Sequence, residues 1–328
     1  MKAFVYPMKS VDTLKLENPY LSRFTEAVNA EYPVLNMGER TRGFLNVFKY
    51  FFKCDVFFLN WVESLRGFNL PFIYLLLTLA KTFNKKVIWI HHNLQPHNGL
   101  TPASKIILQA LMSYSYRIII HTKQSFKYLP NEFHKKCIYI LHPYFENLNY
   151  KKTDAVYDIL IWGSMRKSKG VLEFLNYFSE SSSPFKILII GKFSNGDYYQ
   201  RVKDSVKGNP NVTIEDRYLS DEEFLDIHCL AKKVLFIYNG PSVLNSGALI
   251  RSLSTGRDII GPNRGAFIDY KELGLVETFE TFEDILNLVS KSSQENESKL
   301  SKLKTSIEMN SWEQFGKKIR KALQTTEQ

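Results

Sequence analysis

At 328 residues the chain is long enough for two domains of ordinary size, and its 44% hydrophobic and 23% charged residues are typical of a folded protein. Its three cysteines are far apart and lack CxxC spacing, which argues against a disulfide framework or zinc site and favours a reducing compartment. The formal net charge of +10 lies almost wholly in the first half: residues 1–150 carry 18 Lys and Arg against 9 Asp and Glu, and the other 178 carry 25 against 24. The asymmetry favours an anionic partner for the first half, either nucleic acid or an anionic membrane leaflet.

The sequence contains no segment suited to cross a membrane. The longest apolar stretch, Phe68–Ala80, is shorter than the roughly 20 residues that a spanning helix needs, and Pro71 interrupts it. The first residues lack the apolar core of a secretion signal because Pro7 and Lys9 end the apolar run. The sequence therefore predicts a cytoplasmic protein.

Short apolar runs alternate with helical patterns along the whole chain. Most of the runs are continuously apolar, as expected for strands that helices cover on both faces. The predicted strands are Ala3–Tyr6, Val56–Leu59, Lys86–Ile90, Tyr116–His121, Cys137–Leu141, Ile159–Trp162, Phe185–Gly191, Val212–Glu215, Lys233–Tyr238 and Asp258–Gly261. The predicted helices between them include Ser104–Ser115, Gly170–Ser179, Asp221–Ala231 and Leu244–Ser254. Because the polar segment Phe145–Val156 divides the two sets, the pattern predicts an α/β protein with two doubly wound, Rossmann-like parallel-sheet domains facing a cleft, residues 1–150 and 151–308.

The segment Phe44–Lys53, FLNVFKYFFK, is rich in aromatic residues and lies among basic ones. A helical projection gathers five apolar side chains on one side: Phe44, Val47, Phe48, Phe51 and Phe52. Such a segment can lie among the headgroups of an anionic membrane, or it can pack on the sheet of its own domain. The first alternative predicts peripheral docking on the inner face of the cytoplasmic membrane and a lipid-linked saccharide as acceptor.

Histidines and one glutamate at predicted strand ends are candidates for catalysis. The loop IHHNLQPHN crowds several histidines, but it has no carboxylate at ligand spacing, so we expect substrate hydrogen bonding by His92 or His97 rather than a metal site. Glu63 is the best-placed candidate for a general base, ahead of Asp12, although a capping or surface role explains either acid equally well. His142 either faces the cleft or is a structural turn histidine.

The segment ILIWGSMRKSKG joins a predicted strand to a predicted helix. Gly163 permits a close backbone approach, while Arg166, Lys169 and the following helix N-terminus suit a diphosphate. A solvated turn is the alternative. Farther along, an apolar helical run is preceded by Asn245, Ser246 and Gly247. These residues suit a second anion, although they are also typical of an ordinary helix N-cap.

Taken in order, WGSMRKSKG and SGALIRSLSTGRDIIGP resemble the donor-binding half of bacterial family 4 glycosyltransferases, whose pattern is FGxxRxxKG followed by SGxxLxAxSxGxPVIxP. Further matches are LNWVE, IHHNLQPHN, ILHPY, an NPY segment near the start and SWEQF near the end. The resemblance implies the GT-B fold, with residues 309–328 forming a helix that crosses back to the first domain. It also implies that Arg166 and Lys169 hold the donor diphosphate, and that amides around Ser246 and Gly247 close on its distal phosphate. Electrostatic neutralisation of the leaving group would make a metal or other cofactor unnecessary.

The chain departs from the family at the two glutamates that most members carry. Their positions are held by Val243 and Arg251, which is typical of a divergent SG-type branch and leaves recognition of the sugar and ribose open. Tyr218, Tyr238 and His142 are candidate neighbours of the nucleotide or sugar.

The sequence therefore predicts a metal-independent hexosyltransferase. We expect it to move a hexosyl unit from a UDP- or GDP-sugar to a lipid-linked or glycan acceptor in bacterial polysaccharide or glycolipid synthesis. The alternatives are a non-catalytic nucleotide-sugar-binding subunit and a nucleotide-sugar 2-epimerase. A nucleic-acid binder is disfavoured because the basic residues are not interleaved with aromatic ones along a strand platform.

Overall fold

The computed structural model describes residues 1–8, 19–39, 43–65, 68–92, 102–145, 147–151, 155–239, 244–291 and 297–324. The chain divides into two compact units. The first comprises Met1–Phe145, Ser242–Gly247 and Met309–Gln328, and the second comprises Glu146–Pro241 and Ala248–Glu308. Each unit has its own parallel sheet, so the prediction of two parallel-sheet α/β domains is confirmed.

The first unit is built on a five-stranded parallel sheet in sequential order. Its strands are β1 (Ala3–Tyr6), β2 (Val56–Asn60), β3 (Lys86–His91), β4 (Arg117–Ile120) and β5 (Cys137–Tyr139), and its helices are α1 (Tyr20–Glu31), α2 (Val47–Tyr50), α3 (Asn69–Thr82) and α4 (Pro102–Tyr114). Alternate residues of β2 enter different cores: Phe57 packs with α2, α3 and α4, whereas Phe58 packs with α1. This two-sided burial explains why the strand is continuously apolar in sequence.

The aromatic segment Phe44–Lys53 packs on its own sheet. Phe44, Val47 and Phe51 are buried in the core beside Phe57, and Phe52 alone of the five predicted stripe residues is exposed, at 74%. The helix is also short, Val47–Tyr50, and is preceded by a 3-10 turn, so of the two alternatives for this segment the structure has the second, packing on the sheet of its own domain. Its apolar residues serve the core, since the broad sheet face needs covering.

The second unit has a six-stranded parallel sheet whose order is β11-β10-β9-β6-β7-β8. The strands are β6 (Tyr157–Trp162), β7 (Ile187–Ile190), β8 (Val212–Glu215), β9 (Ala231–Leu235), β10 (Asp258–Pro262) and β11 (Glu277–Phe279). The helices are α5 (Val171–Glu180), α6 (Gly196–Ser205), α7 (Asp221–Cys229), α8 (Gly247–Leu253), α9 (Ala266–Glu272), α10 (Phe282–Ser290) and α11 (Glu297–Met309). The chain adds β7 and β8 on one side of β6 and then β9 on the other, so the strand order reverses between β6 and β9. In open α/β sheets ligands bind at such a reversal, outside the carboxyl ends of the strands.

The last helix, α12 (Trp312–Gln324), belongs to the first unit and packs against α1. Phe315 and Ile319 enter the core that contains Phe58. A Cβ at Gly316 would lie 2.7 Å from the carbonyl oxygen of Ala27, so the two helices approach as closely as only glycine allows. Across the described residues, no helix has the length and apolar character required to span a bilayer.

Candidate functional site

The loop that follows β6 lies at the strand reversal of the second sheet. Its first residue, Gly163, has φ +102°, and a Cβ at Gly191 would overlap the carbonyl oxygen of Gly163. The loop therefore passes directly over the end of β7. Met165 continues the pairing, since its N–H donates to the carbonyl of Lys192 at 2.9 Å and its own carbonyl accepts from Ser194 at 2.9 Å. The course of the loop is thus set by backbone contacts.

Lys169 and Tyr238, predicted separately, meet at this reversal. The Lys169 Nζ donates to the Tyr238 hydroxyl at 2.7 Å and lies 4.1 Å from the centre of its ring. The backbone holds the pair, since Tyr238 N–H donates to the Lys169 carbonyl at 3.2 Å and Asn239 N–H donates to the Ser168 carbonyl at 3.0 Å. The ammonium group therefore has a defined position where the ends of β6 and β9 lie side by side.

Three cationic side chains lie within four consecutive positions of this loop, 166–169. Arg166 and Lys167 are exposed and Lys169 is half-buried. In the part of the chain that the structure describes, no Asp or Glu forms an ion pair with any of the three. Clustered cations without a protein counter-ion suit a phosphate-bearing ligand, which supplies the missing negative charge.

Tyr218 lies apart from this cluster. It follows β8, two strands from β6, and is 59% exposed. Its neighbour Arg217 pairs with Glu215 and Glu223, at 2.8 and 2.9 Å. The structure therefore brings Tyr238, but not Tyr218, into contact with Lys169.

A hydrogen-bond network beneath the end of β6 was missed from the sequence. Trp162 Nε1 donates to the Ser252 hydroxyl at 2.8 Å, and His228 Nε2 lies 3.1 Å from the same oxygen. Because His228 Nδ1 faces the Phe224 carbonyl at 2.7 Å and must donate to it, Nε2 accepts from Ser252. Burial lowers the pKa of His228 to about 3, in keeping with a neutral ring. The serine thus links α8 to β6 and α7.

Arg251 occupies the position at which the resemblance expects a glutamate. Its guanidinium lies 4.0 Å from the centre of the Phe224 ring and pairs with Asp221 at 2.6 Å. Nothing in the sequence alone linked these residues, because Asp221 reads as an ordinary acid of a helix first turn. The missing acid is therefore replaced by a cation that has its own carboxylate partner.

In the first unit, rings from six places in the chain form a cluster at the carboxyl edge of the sheet. We call it the histidine cluster; its members are Tyr20, Trp61, His92, His121, His142 and Trp312. The Tyr20 ring contacts each of the other five, with centres 4.9–5.8 Å apart. Three members directly follow β2, β3 and β4, so the sheet itself brings them together. The Trp61 ring stacks on His92 at 4.3 Å.

Hydrogen bonds fix which ring nitrogen of His92 carries the proton. Asn60 Nδ2 donates to the Tyr6 carbonyl at 3.2 Å, so its Oδ1 must be the atom that faces His92 Nε2 at 2.9 Å. His92 Nε2 therefore donates, and Nδ1 carries the lone pair. Burial, reinforced by the neighbouring His121, His142 and His91, holds the pKa of His92 well below its usual range. At neutral pH the ring is thus an uncharged hydrogen-bond acceptor through Nδ1.

The other two histidines of the cluster are neutral as well. His121 Nδ1 donates to the Ile140 carbonyl at 2.8 Å, so its Nε2 accepts from the Tyr20 hydroxyl at 2.9 Å. His142 Nδ1 donates to the Pro143 carbonyl at 2.8 Å. Burial lowers the pKa of His121 to about 4 and that of His142 to about 3. In the described residues no group of His, Cys, Asp and Glu side chains is arranged to hold a metal ion.

Asn245 packs with this unit rather than with the second sheet. Its Nδ2 donates to the His92 carbonyl at 3.4 Å, and its buried Oδ1 has no hydrogen-bond partner among the described residues. Ser246 is buried and Gly247 is exposed at the start of α8. The segment predicted to bind the diphosphate in the second domain thus lies beside a predicted catalytic histidine.

Glu63 lies in the opposite core from the histidine cluster. It is 2% exposed, and one carboxylate oxygen accepts from Trp89 Nε1 at 3.3 Å, while the other has no hydrogen-bond partner among the described residues. Burial raises the pKa of Glu63 to about 7. No described hydrogen bond or ring contact joins Glu63 to His92, while His97 and Asp12 lie outside the described residues. Of the predicted catalytic residues, Glu63 and His92 therefore lie in different cores, and the place of His97 is not described.

Glu63→Gln is expected to stabilise the protein above pH 7. The folded-state pKa of about 7 exceeds the ordinary value of 4.5. Protonated Glu63 therefore contributes to the free energy of unfolding fully below pH 4.5, and this contribution is lost as the pH rises through 7. The neutral amide lacks the charged form, and about 2.5 pKa units correspond to a gain of up to about 3 kcal/mol at pH 8.5. Urea unfolding of both proteins at pH 5.0 and 8.5 measures it. An advantage of the variant that is the same at both pH values would contradict a buried, titrating Glu63.

Known structures share this fold, in which each of two units has its own parallel sheet. HepE from Anabaena in complex with UDP matches with a TM-score of 0.70 at 10% identity, covering 98% of this chain and 99% of that one. A glycosyltransferase from Rickettsia africae ESF-5 matches with a TM-score of 0.58 at 13% identity, covering 99% of both chains. These neighbours are GT-B glycosyltransferases. This chain has the GT-B fold.

A third GT-B structure is a variant of TarM from S. aureus in complex with fondaparinux, α-GlcNAc-glycerol and UDP. It matches with a TM-score of 0.53 at 16% identity, and this chain covers 54% of it. No protein-family model and no curated protein matches the sequence. At such low identities the likeness shows the GT-B fold alone, and the family 4 resemblance stays an interpretation of the motifs.

Proposed function

We propose that this GT-B protein is a metal-independent glycosyltransferase that takes a hexosyl unit from a nucleotide-diphospho-sugar. The observation that carries the proposal is the cluster of Arg166, Lys167 and Lys169, which has no carboxylate partner in the described chain and stands at the strand reversal of the second sheet. A diphosphate leaving group needs this positive charge, because charge builds on its oxygens as the glycosidic bond breaks. Lys169 and Arg166 supply it without a metal ion.

The chemistry consists of one bond broken and one formed at the anomeric carbon. The bond to the diphosphate oxygen breaks, and the nucleoside diphosphate leaves with the electron pair. The acceptor oxygen forms the new bond and gives up its proton. Glu63 remains the candidate to receive that proton. His92 is the strongest candidate to orient a sugar hydroxyl, because its Nδ1 carries a lone pair and its ring is uncharged at neutral pH. His97 is a further candidate for that role, and Asn245 Oδ1 can accept from a hydroxyl beside His92.

The donor is most simply a UDP-sugar. Solved structures of HepE contain UDP and UDP-glucose, which supports UDP ahead of GDP. Tyr238 is held beside Lys169 and is the first candidate neighbour of the donor, with Tyr218, Ser246, Gly247 and His142 as further ones. The acceptor is a glycan or lipid-linked saccharide, and the setting is bacterial polysaccharide or glycolipid synthesis at the inner face of the cytoplasmic membrane.

Calorimetric titration with UDP, GDP and UDP-glucose, all with EDTA present, tests the proposal. We expect one nucleotide class to bind with a dissociation constant between about 1 μM and 1 mM, as is usual for enzyme substrates. Slow release of glucose from UDP-glucose in the same buffer would demonstrate the transferase half-reaction with water as acceptor. If no nucleotide binds, the proposed function is wrong.

A non-catalytic, donor-binding subunit is the second candidate. It is favoured by Arg251, which stands where the resemblance expects an acid and is already paired with Asp221. This alternative predicts nucleotide binding without release of sugar to water or to any acceptor. The two assays above therefore separate the candidates.

A further inference from the structure

A long part of the first unit contains no acidic residue. Residues 64–131 carry eight Lys and Arg and not one Asp or Glu: Arg66, Lys81, Lys85, Lys86, Lys105, Arg117, Lys123 and Lys127. Both α3 and α4 lie in this part, and they pack against each other. Each of these two helices therefore carries one lysine, Lys81 in α3 and Lys105 in α4, and no acidic residue that would offset it.

The same surface exposes large apolar side chains. The exposed positions of α3, a helix about 21 Å long, follow a helical stripe: Pro71, Tyr74, Leu75, Thr78, Lys81 and Thr82. Phe68 stands at one end of this helix, 73% exposed, and Phe83 at the other, where its ring contacts the 74% exposed Phe52 at 5.5 Å. Ile106 of α4 is 62% exposed. We define the α3 face as Phe52, Phe68, Tyr74, Leu75, Phe83 and Ile106.

Lysines border the α3 face at both helices and near Phe52. Lys53 and Lys105 are exposed, and Lys81 lies with its Nζ 5.2 Å from the centre of the Tyr114 ring. The two acids described nearby are already paired, Glu39 with Lys49 at 3.2 Å and Asp55 with Lys85 at 3.8 Å. The border of the face therefore carries an excess of positive charge.

We infer that the α3 face docks on an anionic lipid bilayer, with its apolar side chains among the acyl chains and the lysines at the headgroups. The two features fit this occupant together, since exposed aromatic residues favour the interface and each lysine gains from anionic headgroups. A second copy of the chain fits poorly, because two such faces would bring like charges together. The inference rests on the proposed function, in which the acceptor is lipid-linked. It centres the membrane contact on α3 and α4, and only Phe52 and Lys53 of the segment Phe44–Lys53 take part, at its edge.

Vesicle sedimentation tests the docking with the full chain. We expect binding to phosphatidylcholine vesicles that contain about 30% phosphatidylglycerol and weak binding to pure phosphatidylcholine. About 1 M salt should release the protein, because the Debye length is then about 3 Å and the attraction between lysines and headgroups is screened. The double variant Tyr74→Glu with Leu75→Glu should lower the partition coefficient at least tenfold. A matched control, Val156→Glu with Leu273→Glu, makes the same change at exposed apolar residues of the second unit and should bind as the natural chain does.

Three outcomes overturn the inference: no binding to anionic vesicles, equal binding by the two double variants, or a dimer in light scattering that the Tyr74→Glu, Leu75→Glu variant alone dissociates. Circular dichroism and UDP titration of each variant show that folding and the donor site are retained. Because UDP titration needs no membrane, the two proposals fail separately. UDP binding without vesicle binding contradicts the docking alone, whereas vesicle binding without nucleotide binding contradicts the proposed function.

Discussion

Arg166→Ala and Lys169→Met are each expected to weaken UDP binding by about 10- to 100-fold. A hydrogen bond to a charged group contributes about 1.5–3 kcal/mol, which corresponds to that range of affinity. Lys169 is held at the strand reversal by Tyr238, and neither cation has a carboxylate partner in the described chain, so each is available for phosphate. Calorimetric titration with UDP at low and high salt measures the loss of affinity. This loss should be smaller at high salt, because salt screens the attraction between each cation and the diphosphate.

Lys207→Met is the matched control for these variants. Lys207 is an exposed lysine of the same unit beyond the last turn of α6, and removing it makes the same change in charge. It should leave UDP affinity within about twofold, because surface charges away from a site act weakly. Equal losses in Lys207→Met and Lys169→Met would mean that only net charge matters, and the diphosphate site would then not be at this loop.

Gly191→Ala is expected to destabilise the second unit by about 3 kcal/mol or more, with a fall in Tm of roughly 10 °C. The added Cβ would overlap the carbonyl oxygen of Gly163, a backbone atom that can move only if the whole loop after β6 moves. Thermal unfolding followed by circular dichroism gives the stability. UDP titration of the folded variant should show a loss of affinity, because Arg166 and Lys169 are carried by the displaced loop.

Gly196→Ala provides the control within the same segment. Gly196 begins α6, five residues farther along, and a Cβ there meets no atom within 4 Å. Its stability should be unchanged or slightly raised, since alanine is a better helix former than glycine. If the two variants unfold at the same temperature, the loop after β6 does not pass over the end of β7 as described.

Secondary structure was predictable where burial on both faces leaves a continuous apolar run. All ten predicted strands correspond to strands of the structure. The sixth and ninth begin two residues earlier than predicted, at Tyr157 and Ala231, and the fifth and ninth end earlier, at Tyr139 and Leu235. The three-residue edge strand Glu277–Phe279 was missed. That strand pairs on one side only, so few of its residues need to be apolar. The aromatic run Phe44–Lys53 left two alternatives open for a related reason. An apolar stripe has the same appearance whether it faces a membrane or the protein's own sheet, and only the position of Phe57 decided between them.

The sequence by itself determined the fold class, the division into two domains and the order of the motifs, because these depend on local periodicity and on residues close together in the chain. Tertiary structure decided which of the candidate residues meet. Lys169 is hydrogen-bonded to Tyr238, which lies 69 positions away in the sequence. Tyr20 is hydrogen-bonded to His121, 101 positions away. Asn60 fixes which ring nitrogen of His92 carries the proton, and these two residues are 32 positions apart. Tertiary structure also placed Glu63, which lies in a 3-10 turn beyond β2, beside Trp89 and away from the histidine cluster that contains His92. Such pairings follow from strand order and from which face of a strand a side chain occupies, and neither quantity is expressed in spacing along the chain.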